Sequence, residues 1–164
     1  MEIAIAISVG IGAIAGGIFA YCSRRHDIEL DASIDDKLKE LPSIFSGARV
    51  SLKIATDFDS RFFEKEIVKN AISNAISNGA KIQILTEHEA PVWYQQQTNI
   101  EIKNIQALDR HVMTIDKRHV RLERSHPPLE FGKTGGDIAL IFNNFPALGE
   151  RYSQEFDTLW IQTS

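Results

Sequence analysis

Residues 49–86 read RVSLKIATDFDSRFFEKEIVKNAISNAISNGAKIQILT, and their pattern predicts a strand, a long helix and a second strand. In the first eight residues apolar side chains alternate with polar ones, which is typical of a half-buried strand. An apolar stripe then recurs at helical spacing from about Ser60 to Asn78, and Gly79 is suited to end the helix. The apolar run at 80–86 predicts the next strand. Two strands joined by a helix predict a parallel pair with a right-handed crossover.

The segments that follow predict further strands and a closing helix. Strands are expected at 100–105, 111–116, 118–123 and 137–142, and the last of these, DIALIF, is apolar enough to be buried on both faces. Pro146 stands at a position that suits the first turn of a helix. Together these elements predict an α/β fold in which a mixed sheet is flanked by helices.

The first part of the chain is an uncharged apolar segment, IAIAISVGIGAIAGGIFAY, at residues 3–21. As a helix it would rise by roughly 28 Å, at about 1.5 Å per residue, which matches the hydrocarbon core of a bilayer. Arg24 and Arg25 follow it and predict a single-pass membrane protein whose C-terminal domain is cytoplasmic. A cleaved signal peptide is the alternative, but it would carry basic residues before the apolar run.

The predicted organisation therefore has three parts. Residues 1–25 are expected to form a transmembrane anchor. Residues 26–47 are expected to form a polar juxtamembrane spacer and a helix that Pro42 ends or kinks. Residues 48–164 are expected to form the folded α/β domain.

The composition excludes several classes of protein. A hydrophobic content of 43% in 164 residues is enough for a packed core, and a single cysteine excludes a disulfide framework within the chain. The net charge of −4 argues against a general nucleic-acid coat. A local basic patch remains compatible with that charge.

Three stretches of the sequence resemble one half of the phospholipase D superfamily, and together they span roughly residues 36–161. The family's first strand, helix and second strand are matched by RVSLKIATDFDSRFF and VKNAISNAISNGAKIQIL. Its motif strand and the strand after it are matched by RHVMTIDKRHVRLE. Its final strand and helix are matched by GGDIALIFNNFPALGERYSQEFDTLW, where Phe156 and Trp160 reproduce a Phe-x-x-x-Trp pattern. The resemblance implies a phospholipase D-like mixed sheet flanked by helices.

The family's signature is His-x-Lys, then four residues, then Asp. Anchored on Asp116, this chain has Asp109 at the histidine position and His111 at the lysine position, so only the aspartate is retained. The family often has Gly-Ser downstream of the motif. Ser125 and His126 occupy about that region here, without the glycine.

The resemblance also implies roles for these residues. In the family two motifs meet, from two halves of a chain or from two subunits; one histidine attacks phosphorus and the other protonates the leaving group. By that likeness His111 would be the nucleophile, Asp109 would orient it, and Asp116 and His126 would lie in the same cleft. The residues expected to hold phosphate oxygens are Arg118, Arg121 and Ser125. No metal and no cofactor is expected. Alternatively, His111 is an ordinary hydrogen-bonded strand residue beside an acid.

Three functions are compatible with these patterns. The first is a membrane-anchored, non-catalytic domain that binds a phosphodiester, either a lipid headgroup or a nucleic acid, or an unknown protein partner. It would act as a homodimer, because family members with a single motif pair to build a site and because Gly12 and Gly16 have a spacing at which two membrane helices approach closely. The second is a membrane-tethered phosphodiesterase, a nuclease or phospholipase, that works as a dimer through His111. The third is an assembly factor whose exposed aromatic residues Trp93 and Tyr94 bind a partner.

Overall fold

A computed structural model describes residues 27–31, 34–124 and 139–163. Their strands form one sheet of seven in the order β1-β7-β6-β5-β2-β3-β4. The pairs β2–β3 and β3–β4 are parallel and the other pairs are antiparallel, so the predicted mixed sheet is confirmed. The strands are β1 (Asp27–Asp31), β2 (Ser51–Thr56), β3 (Lys81–Thr86), β4 (Ile100–Asn104), β5 (Arg110–Ile115), β6 (His119–Arg124) and β7 (Ala139–Asn143).

Helices cover both faces of this sheet. Four contribute to the larger core on one face, and the C-terminal helix packs on the other face. The helices are α1 (Ile34–Gly47), α2 (Ser60–Phe63), α3 (Glu66–Ser77), α4 (Val92–Gln95) and α5 (Pro146–Gln162).

Strand β2, which lies inside the sheet between β5 and β3, is buried along its whole length, because both of its faces are covered. Leu52 and Ile54 enter the larger core, whereas Ala55 enters the smaller core under α5. Lys53 also points toward α5, where its Nζ donates to Ser153 Oγ at 2.7 Å and lies 2.7 Å from an Asp157 carboxylate oxygen. The predicted half-buried strand is therefore buried on both faces, because its polar residue Lys53 is buried together with its partners Ser153 and Asp157.

The long helix predicted from Ser60 to Asn78 is two helices in the structure. Asp59 caps α2 by accepting a hydrogen bond from a main-chain N–H, and α3 begins only after Lys65, whose backbone is extended (φ −70°, ψ 135°). The break rotates the second segment. The helical spacing of Phe63, Ile67 and Ala71 predicts Ile67 on the core face, but Ile67 is 55% exposed and Val68 is buried instead.

The segment before β2 is more structured than predicted. Residues 27–31 form an edge strand that pairs antiparallel with β7, rather than a spacer, because Ile28 and Leu30 alternate with acidic residues. Pro42 lies inside α1 and does not end the helix. The predicted membrane segment at 3–21 lies outside the described residues. Among those described, no helix combines the length and the apolar character needed to cross a bilayer.

The aromatic pair expected on the surface belongs to the core. Tyr94 is fully buried, and its hydroxyl donates to the carbonyl oxygen of Phe63 at 2.8 Å. Burial raises the pKa of the Tyr94 phenol well above its usual value. Trp93 packs edge-on against Tyr94 and is partly buried. Trp93 and Tyr94 are therefore not an exposed aromatic surface, and that prediction was wrong.

Gly149 allows α5 to approach the β5–β6 hairpin. A Cβ atom at this position would collide with the carbonyl of Lys117 and would lie 2.7 Å from the main-chain nitrogen of Arg118. Both neighbours are main-chain atoms, so the clash is relieved only by moving the hairpin or the helix. Gly149→Ala is therefore expected to lower the free energy of unfolding by about 1–3 kcal/mol, measured by urea denaturation.

Gly47→Ala is the matched control for this substitution. It lies at the end of α1, and a Cβ there would meet no atom within 4 Å. The free energy of unfolding should then stay unchanged or rise by less than about 1 kcal/mol. Equal losses for the two variants would contradict the close approach at Gly149.

Candidate functional site

Asp116 lies in the tight turn between β5 and β6. Three residues, 116–118, connect the paired Ile115 and His119, and two of them, Asp116 and Lys117, have positive φ values of 50° and 55°. The Asp116 carboxylate accepts hydrogen bonds from the main-chain N–H groups of Arg49, Val50 and Ser51, at 2.9, 2.7 and 2.9 Å. The retained aspartate of the motif therefore ties the hairpin to the start of β2.

Asp116 is thereby separated from the other motif residues by the length of β5. Asp109 precedes the first residue of that strand and His111 is its second residue, whereas Asp116 follows its last residue. The prediction of a single cleft containing all three is wrong for Asp116. Arg118 lies at the same hairpin, exposed, and is likewise remote from His111.

Asp109 is on the surface, where its carboxylate is paired with the next residue. Its side chain is 72% exposed, and Oδ2 accepts from Arg110 Nη2 at 2.8 Å. The hydrogen bond from Arg110 lowers the pKa of the Asp109 carboxyl. At neutral pH this position therefore carries a negative charge.

His111 lies on the face of the sheet that α1 covers, in a buried group of charged residues. Lys37 of α1, His111 of β5, and Arg121 and Glu123 of β6 are each at most 6% exposed. Glu123 accepts from Lys37 Nζ at 2.8 Å and from Arg121 Nη1 at 2.5 Å, and its Oε2 lies 3.9 Å from His111 Nδ1. We call these four residues the Glu123 cluster.

Glu123 is the centre of this cluster. Burial alone would raise the pKa of its carboxyl, but attraction and hydrogen bonds from Arg121 and Lys37 outweigh burial and lower the pKa to about 2. The carboxylate therefore stays charged through the physiological range. Because Glu123 stands opposite His111 in the strand register, it is the carboxylate that the structure places beside the imidazole. Asp109 had been expected in that role.

The sequence contained only part of the signal for this cluster. Arg121 and Glu123 are two apart on one strand and so share a face, and the hairpin register sets Glu123 opposite His111. Lys37 comes from a helix 86 residues away and has no local signal. Of the other predicted site residues, Ser125 and His126 lie outside the described residues. Within the described ranges, no three His, Cys, Asp or Glu side chains gather closely enough to hold a metal ion.

A cavity of about 390 Å³ opens on the other face of the sheet, between α5 and the start of β5. Its wall is mainly apolar and includes the rings of Tyr152 and Phe156, and Asp109 and Arg110 are among its polar residues. The lining residues are Ala55, Leu108, Asp109, Arg110, Val112, Tyr152, Glu155, Phe156, Thr158 and Leu159. The exposed part of the motif strand therefore borders this cavity, whereas His111 faces away from it.

Solved structures with the same fold exist, although neither a family model nor a curated protein matches the sequence. NucT from Helicobacter pylori superposes with a TM-score of 0.65 at 18% identity, over 84% of this chain and 98% of NucT. Nuc from Salmonella typhimurium, a phospholipase D family member, gives a TM-score of 0.59 at 13% identity, over 85% of this chain and 97% of Nuc.

A third similar structure is a larger protein. The archaeal chromatin protein TrmBL2, described as showing a novel mode of DNA binding, gives a TM-score of 0.64 at 12% identity. The match covers 84% of this chain but only 53% of TrmBL2, so this chain spans about half of that protein's length. At these identities the similarity concerns the fold. The chain has the phospholipase D-like fold, a mixed sheet flanked by helices.

Proposed function

We propose that this chain is a membrane-anchored protein whose phospholipase D-like domain binds a phosphodiester without cleaving it. Residues 1–25 hold the domain at the cytoplasmic face of the membrane, and two copies associate. The domain has a net charge of −5 once Glu2, Arg24 and Arg25 are set aside from the total of −4, so its own charge does not attract it to an anionic leaflet. The anchor must supply that attachment.

The observation that carries the proposal is the state of the two motif positions. Asp109, at the position of the family's attacking histidine, is an exposed carboxylate paired with Arg110. It lacks a neutral nucleophilic nitrogen, and its charge repels an approaching phosphate. His111, at the position of the family's lysine, is buried beside Glu123. Compared with the family's motif, the chain therefore lacks both the attacking histidine and the lysine, although it retains the fold.

Ligand binding is supported by the similar proteins and by the position of the Arg121 side chain. The chromatin protein that shares the fold binds DNA, and Nuc is a phospholipase D family member. Arg121 lies in the Glu123 cluster, opposite Met113 of β5, and Ser125 is the residue that follows β6 in the sequence. Both stay in the proposed phosphate site, whereas Arg118 lies in the turn between β5 and β6 and is left out.

Fluorescence anisotropy with the full-length protein and a labelled single-stranded oligonucleotide tests this proposal. We expect a dissociation constant of about 10⁻⁴ to 10⁻⁶ M that weakens as salt is raised, as phosphate contacts require. A soluble short-chain phosphatidylglycerol, added as a competitor, asks whether a lipid phosphodiester occupies the same site. Absence of binding to both ligands at low salt would contradict the proposal.

The alternative function is a phosphodiesterase that works as a dimer through His111. The observation in its favour is the approach of Glu123 Oε2 to His111 Nδ1 at 3.9 Å, since a carboxylate beside the imidazole can orient a catalytic histidine. This alternative requires that His111→Ala abolish the cleavage of a simple phosphodiester while the fold survives. It also requires two subunits, so membrane crosslinking that finds only monomer would exclude it.

A further inference from the structure

We infer that the Glu123 carboxylate fills the phosphate site of this domain in the free protein, so that a phosphodiester must displace it in order to bind. This inference rests on the proposed function and names the device that controls access to the same site. Its basis is the Glu123 cluster, in which basic side chains from three elements approach a single acid. Lys37 comes from α1, His111 from β5 and Arg121 from β6.

The two cations of the cluster require an anion between them. Lys37 and Arg121 are 5% and 2% exposed, and burying such charges is costly unless a counter-ion is buried with them. Glu123 supplies that counter-ion. Its Oε1 lies 2.8 Å from Lys37 Nζ, and its Oε2 lies 2.5 Å from Arg121 Nη1, so each carboxylate oxygen contacts one cation. The cluster therefore has the form of an anion site whose occupant belongs to the chain itself.

A phosphodiester resembles this occupant in charge and in shape. It carries one negative charge and two terminal oxygens, as a carboxylate does, and arginine and lysine donate hydrogen bonds to both kinds of group. The imidazole of His111 borders the same place, with Nδ1 at 3.9 Å from Glu123 Oε2. A phosphodiester that replaced the carboxylate would therefore meet the same two cations beside the same histidine.

The ligand and the Glu123 carboxylate cannot share the site. Both are anions, and their repulsion is only weakly screened where the surrounding side chains are at most 6% exposed. The carboxylate must therefore withdraw as the phosphate enters. The affinity of the wild type is reduced by the cost of that exchange, because the binding-competent arrangement is only a fraction of the free protein.

Fluorescence anisotropy with a labelled single-stranded oligonucleotide tests this exchange, by comparing full-length wild type with Glu123→Gln. The amide keeps the size of the side chain but removes its charge, so it competes less well for the cations. The variant is expected to bind roughly 10-fold more tightly, although it is less stable to urea because Lys37 and Arg121 lose their counter-ion. A glutamate with a structural role alone would lose stability without a gain in affinity.

Glu101→Gln is the matched control for the change in net charge. It removes the same charge from a side chain that is 51% exposed, on the edge strand β4 rather than on β6. Its oligonucleotide affinity should equal that of the wild type. An equal gain in Glu101→Gln and Glu123→Gln would assign the effect to the overall charge of the protein and would overturn the inference.

Glu123→Ala provides a second test that does not depend on the folding of Glu123→Gln. Dimethyl phosphate, a small phosphodiester, should raise the urea midpoint of this variant above its value in sodium chloride of the same ionic strength. If the variant is unfolded in chloride, dimethyl phosphate should restore its helical circular dichroism. The wild type, whose site still holds Glu123, should respond less. An equal response of the two proteins would be a general salt effect and would contradict a vacated anion site.

The outcomes of the oligonucleotide experiment separate this inference from the proposed function. Equal or weaker binding by a folded Glu123→Gln protein would overturn the inference while leaving phosphodiester binding intact. Binding by Glu123→Gln but not by the wild type would support the inference and end the proposed function, because Glu123 would then fill the site permanently. Binding by neither protein would end both.

Discussion

Glu123→Ala is expected to lower the free energy of unfolding by about 3–5 kcal/mol, because it leaves Lys37 and Arg121 buried without the carboxylate that both contact. Urea denaturation of the full-length protein, followed by circular dichroism, measures the change. The expected loss is large because these side chains are at most 6% exposed, so water cannot replace the missing carboxylate.

Lys81→Ala is the control for this variant. It breaks the ion pair in which Lys81 Nζ lies 3.2 Å from Glu101 Oε2. The Lys81 and Glu101 side chains are 58% and 51% exposed, respectively. Its expected cost is below about 1 kcal/mol. If both variants lose the same small amount, the Glu123 cluster does not hold α1 against β6.

The stability that Glu123 contributes should also depend on pH in a defined direction. The pKa of this carboxyl is lowered to about 2 in the folded protein, from 4.5. Its contribution is therefore fully present above the unfolded value and is lost as the pH falls toward about 2. The stability difference between wild type and Glu123→Gln should shrink as acid is added. A difference that grows on acidification would contradict the assignment of Glu123 as a charged residue in the fold.

Asp116→Ala is expected to cost about 2–4 kcal/mol of stability, because three main-chain N–H groups lose their charged acceptor. Alanine also tolerates the positive φ of this turn position less well than aspartate does. Asp116→Asn retains one side-chain oxygen and tolerates the same backbone conformation, so about half of that loss is expected. Urea denaturation of the three proteins gives both values.

The same variants separate a structural aspartate from a catalytic one. Asp116→Asn should leave oligonucleotide affinity within the error of the wild type, because Asp116 lies at the opposite end of β5 from His111. A variant with unchanged stability and abolished binding would instead place Asp116 in the ligand site.

Local patterns in the sequence predicted much of the fold. Apolar alternation in β2 and β3 and a helical stripe between them gave the parallel crossover, and the charged turn at Asp116 gave the hairpin. These features depend on neighbours in sequence, which a pattern can detect. The break between α2 and α3, at Glu64 and Lys65, was missed because EKEIVKN continues the helical pattern in the sequence. In the structure Phe62 and Phe63 are both buried at the end of α2.

The candidate site was predicted less completely, because its contacts are long-range. The motif spacing identified Asp109, His111 and Asp116, but it could not show that Asp116 binds the main chain before β2. Lys37 joins Glu123 from a helix distant in sequence, and only the folded sheet brings the two together. β1 was missed because an edge strand of five residues with three acids resembles a polar spacer.

Hydrolysis of bis(4-nitrophenyl) phosphate by the full-length wild-type protein, with His111→Ala as the matched variant, separates binding from turnover most directly. With Asp109 at the nucleophile position and His111 buried beside Glu123, both proteins are expected to release nitrophenol no faster than buffer alone. Release by the wild type that disappears in a folded His111→Ala protein would contradict a non-catalytic domain and identify His111 as the nucleophile.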